Sequence, residues 1–75
     1  MKRIYVLTTG WGSVEDDFVG VFDDTEKLKR EMNRYDLDEI CVYVYDITEN
    51  GTMVERGAAH YASGLVLDDT VIVEM

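Results

Sequence analysis

The chain has 75 residues, of which 16 are acidic and 7 basic, for a net charge of -9. Its single cysteine and single histidine can close neither an internal disulfide nor a structural zinc site. A charge this negative repels nucleic acid and anionic membranes and suits a partner with a basic surface.

The apolar fraction of 47% is that of a globular chain, and residues 1–75 are expected to form one small domain. Residues 3–9, rich in Ile, Tyr, Val, Leu and Thr, predict a first strand. The apolar run behind Lys2 and Arg3 is too short for the h-region of a signal peptide. No segment approaches the ~20 apolar residues of a membrane span, so a cytoplasmic protein is expected.

The loop GWGSVEDD follows, carrying the only tryptophan between two glycines that supply turn freedom. Two roles suit Trp11. It can fold back over Gly20, or project beside Glu15, Asp16 and Asp17 as an aromatic anchor with an acidic rim. Phe18 to Phe22 predicts a second strand, antiparallel to the first. Gly20 inside it implies a bulge or a close contact above it.

Asp23-Asp24-Thr25-Glu26 fits a capping box with Asp23 as N-cap and Glu26 at N3. Leu28, Met32 and Tyr35 then fall on one helical stripe, and Glu26 to Arg30 is a favourable outer pair. The helix is predicted over 24–35, with a turn through Asp36 and Asp38.

Ile40 to Ile47 is the strongest strand signal. Ile40, Val42 and Val44 share one face; Cys41, Tyr43 and Tyr45 share the other. Both faces are apolar, which points to a central strand. Asn50-Gly51 signals a hairpin back into Thr52 to Arg56. A two-residue turn would place Asp46 opposite Glu55, a like-charge pair. A three-residue turn with Gly51 in a bulge places Asp46 opposite Val54, and is preferred. GAAHYASG reads as a loop or a single helical turn. Leu65 to Glu74 reads as a strand, or a strand pair, kinked at Asp68-Asp69.

The order is therefore β-β-α-β-β with room for one more strand. This is an α+β fold: a single antiparallel sheet of four or five strands with one helix on one face. One helix leaves the other face uncovered.

The segments KRIYVLTT and FVGVFDDTEKLKREM resemble the opening of small stand-alone proteins of phages and mobile elements. In these, a lysine-led strand, a GVF strand and a capped helix begin the same layout. The resemblance covers roughly the first half of the chain. Some small acidic phage proteins inhibit host defence, including anti-CRISPR proteins and DNA mimics, and the resemblance implies such an inhibitor.

The residues themselves do not point to catalysis. GWGSV and YASGL lack the spacing of a nucleophile elbow. His60 has no evident orienting partner, and Cys41 sits mid-strand among Ile and Val as a small hydrophobe. The acidic pairs lack the alternating spacing of a calcium loop. No cofactor and no metal are expected.

What remains is a surface. Acids at loops and element ends, namely Glu15, Asp16, Asp17, Asp36, Asp38, Glu39, Asp68 and Asp69, can imitate a phosphate array facing a basic groove. Tyr43 and Tyr45, joined by Tyr5 on a neighbouring strand, form an aromatic stripe suited to an interface. With Trp11 these are the candidate partner-binding residues. The expected function is non-catalytic protein binding, as an inhibitor of a host nucleic-acid-handling or defence protein such as a CRISPR effector. The alternative is a structural or regulatory homodimer.

Overall fold

A computed structural model describes residues 2–9, 17–36, 39–61 and 64–74. The elements are β1 (Lys2–Thr9), β2 (Asp17–Phe22), α1 (Thr25–Met32), β3 (Ile40–Ile47), β4 (Met53–Tyr61), β5 (Gly64–Leu67) and β6 (Thr70–Glu74). All strand pairs are antiparallel. They form one six-stranded sheet in the order β2-β1-β3-β4-β5-β6. The α+β class holds. The expected four or five strands become six, because the last segment folds as a hairpin of two strands, β5 and β6; the segment from Gly57 to Tyr61, expected as a loop or helical turn, lengthens β4.

α1 is shorter than the sequence suggests. Its N-cap is Asp24, not Asp23: the Asp24 carboxylate accepts from the Glu26 N–H at 2.8 Å. Asp23 instead faces Lys2 Nζ at 3.4 Å. The outer ion pair is Glu31 with Arg34 at 3.4 Å, in place of Glu26 with Arg30. Leu28 and Met32 are fully buried and Tyr35 packs beside the core, as their spacing requires.

The β3–β4 turn takes the preferred form. Thr48 N–H donates to the Thr52 carbonyl at 2.9 Å, which leaves Glu49, Asn50 and Gly51 as a three-residue loop. Gly51 adopts φ 86°, the left-handed geometry such a bulged turn needs. Asp46 accordingly lies opposite Val54.

The core lies between α1 and one face of the sheet. Tyr5 and Leu7 of β1 meet Val44 and Val42 of β3, and Ala59, Leu65, Leu67 and Val73 continue the layer. An eight-residue helix is ~12 Å long, whereas six strands span ~24 Å, so a flat sheet would outrun it. The sheet resolves this by bending. The ladders β1–β2, β3–β4 and β5–β6 each carry a register shift, and bulges bend strands and increase twist. The backbone of α1 then approaches β2, which leads into it, and β6 at the far edge.

Candidate protein-binding face

The face of the sheet turned away from α1 is built in rows by the strand registers. Val21, Val6, Tyr43 and Ala58 are successive cross-strand neighbours on β2, β1, β3 and β4. Phe18, Thr8 and Cys41 form the row on one side of them, Ile4, Tyr45 and Glu55 the row on the other. Lys2, Ile47 and Met53 follow at the margin. Beyond β4, His60 faces Val66, and Val66 faces Val71.

Much of this surface is apolar, and part of it is exposed, though Thr8 and Cys41 on it are buried. Among the described residues the exposed large hydrophobics are Phe18 at 66%, Met53 at 54%, Val21 at 53% and Val71 at 47%. By the registers above, all four lie on this helix-free face. Tyr43, Tyr45, Ile4, Val6, Ile47 and Val66 on the same face are half-buried. Large hydrophobics gathered on one face, not scattered, are what marks an interaction surface.

Tyr43 and Tyr45 therefore stand where the alternation of β3 placed them. Tyr5 does not join them: it pairs with Val44 and is buried against the helix side. The residues missed from sequence are Phe18, Val21, Ile4, Val6, Met53 and Val71. For β2 the cause is a bulge. Strict alternation would put Phe18 with Gly20 and Phe22. The register shift opposite Leu7 and Thr8 inserts Val19, which packs on the core, so Phe18 and Val21 share the open face instead. The contact expected over Gly20 is also present: a Cβ there would meet the Phe22 ring at 3.3 Å.

The acidic candidates are divided between places. Asp17 opens β2 opposite Thr9, which also pairs with Ile40, so Asp17 and the exposed Glu39 flank one end of β1. Asp36 is exposed between α1 and β3. Asp68 and Asp69 form the tight turn between β5 and β6, which runs away from that end. Trp11, Glu15, Asp16 and Asp38 lie outside the described residues. The described acids do not form one rim. Of the seven bases, Lys27, Lys29, Arg30 and Arg34 lie on or just after α1, while Lys2, Arg3 and Arg56 stand on the sheet.

Cys41 is a free, buried thiol, and the Thr8 hydroxyl donates to its carbonyl at 3.4 Å. His60 is exposed. Among the described residues, no three His, Cys, Asp or Glu side chains converge as metal ligands. No described helix is long and apolar enough to cross a membrane. Comparison with known protein families, curated proteins and solved structures gives no match.

Proposed function

We propose that this chain is a non-catalytic protein-binding module whose working surface is the helix-free sheet face. The observation that supports it most is the gathering of Phe18, Val21, Met53 and Val71, all exposed, on that one face beside Tyr43 and Tyr45. A patch of this kind binds by burying aromatic and aliphatic anchors, while charge at its edges sets orientation and rate. The net charge of -9 suits a partner whose rim is basic. In its finer form, the proposal is an inhibitor that covers a nucleic-acid-handling or defence protein of a host cell.

The test is binding to a captured partner as salt is raised, with and without nucleic acid. Binding through an apolar face persists above the ~0.1 M range in which exposed charges are screened beyond about 10 Å. Nucleic acid competes only if the partner surface is one that nucleic acid also uses. Steep loss with salt, unaltered by Phe18→Ser, would move the site to the acidic loops. A concentration-dependent dimer, lost in Phe18→Ser with no other partner found, would support the homodimer reading.

A further inference from the structure

On the opposite, helix-side face, Asp46 lies between two arginines. Arg3 Nε donates to Asp46 Oδ1 at 2.9 Å and Arg3 Nη2 to Oδ2 at 3.3 Å, while Arg56 Nε donates to Oδ2 at 2.7 Å. The Asp46 side chain is 6% exposed, whereas those of Arg3 and Arg56 are 42% and 43% exposed. One buried carboxylate thus fixes two half-exposed guanidiniums and neutralises only one of them. Its hydrogen bonds engage Nε of both arginines and Nη2 of Arg3. Arg3 Nη1 and both Nη groups of Arg56 have no hydrogen-bond partner among the described residues.

The backbone is distorted to achieve this. Val44 pairs with Gly57 and Tyr45 with Glu55, so Arg56 is the extra residue of a β-bulge. Gly57 beside it adopts φ 132°, a geometry that glycine alone enters readily. The bulge turns Arg56 onto the face of Asp46, where regular alternation after Gly57 would have sent it to the other side. Bulges that re-aim one side chain recur beside binding sites.

We propose that Arg3 and Arg56 form a receptor for a single phosphate-type oxyanion. A guanidinium fork matches phosphate oxygens in geometry. Two forks already ordered by a common carboxylate lose little further rotamer freedom on binding. A tetrahedral oxyanion can present separate oxygens to the two.

The probe is inorganic phosphate, titrated into the full chain at constant ionic strength, with the Nε–H resonances of both arginines followed by NMR. Their hydrogen bonds to a buried carboxylate slow the exchange of these protons with water. Both resonances are expected to shift and saturate with a Kd on the order of 1 mM, the sum of two charge-assisted contacts. Phosphoserine in a second titration identifies the source: equal saturation points to a phosphoryl group carried on a larger ligand, and saturation by phosphate alone to the free ion. Arg56→Gln is expected to weaken binding about tenfold, one charge-assisted bond, while Arg30→Gln on α1 leaves it unchanged. Shifts that do not saturate, that chloride reproduces, or that saturate with the same Kd in Arg56→Gln would overturn the proposal.

Discussion

Gly57 adopts φ 132°, and a Cβ added to it would come within 3.3 Å of Leu67 Cδ1. Conformation and space therefore both resist a side chain there. Gly57→Ala is expected to destabilise the chain by about 1–3 kcal/mol, read from urea unfolding; an unchanged midpoint would show that the bulge relaxes without cost. Asp46, one strand away, makes stability depend on pH. Hydrogen bonds from Arg3 and then Arg56 hold its carboxyl at about 2, below the ordinary 3.8. Its folded value is the lower one, so the unfolded chain takes up the proton more readily. The stabilisation is complete above the ordinary value and is lost as pH falls toward about 2. Urea midpoints measured from pH 5 down to pH ~2 are expected to fall in the native chain and to fall less steeply in Asp46→Asn. Parallel slopes would detach Asp46 from acid stability.

Between β5 and β6 the chain reverses through two residues, Asp68 at φ 50° and Asp69 at φ 63°. Positive φ at both central positions is the turn that matches strand twist, and Asn-Gly is its preferred occupant. Two aspartates enter it less readily and set like charges side by side. The double change Asp68→Asn with Asp69→Gly is expected to gain about 1 kcal/mol, or a Tm higher by roughly 4–8 °C; a lower Tm would mean that the aspartates make contacts the turn geometry does not supply. The elements differ in how far the sequence announces them. The faces of β3 were legible because its alternation is unbroken from Ile40 to Ile47, and the Asp46 register followed from rejecting a like-charge pair. Phe18, Val21 and Arg56 were not legible, since a bulge reverses alternation and local composition carries little trace of it. The extension of β4 through Ala58, Ala59 and His60 was hidden as well. Alanine has weak strand preference, and Ala59 packs in the core as part of the strand.

Across the whole molecule the two layers differ in chemistry. Lys27, Lys29, Arg30 and Arg34 sit in the helix layer among Asp24, Glu26 and Glu31, while the other side of the sheet carries the exposed hydrophobics Phe18, Val21, Met53 and Val71. The sheet face is the proposed binding surface. Phe18 and Val21 are more than half exposed, so replacing them removes little folded-state burial. The double variant Phe18→Ser with Val21→Ser is expected to change stability by no more than about 0.5 kcal/mol. Loss of two anchors at an interface costs on the order of 2 kcal/mol or more, a fall in affinity of at least tenfold. The deciding measurement is quantitative capture of a binding partner by the native chain and by this variant, with sedimentation to register self-association and Lys27→Ala with Arg30→Ala as the control from the other layer. Binding lost in the sheet-face variant at unchanged Tm, and kept in the helix variant, is the expected result. Equal binding by the native chain and the sheet-face variant would contradict the assignment of this face.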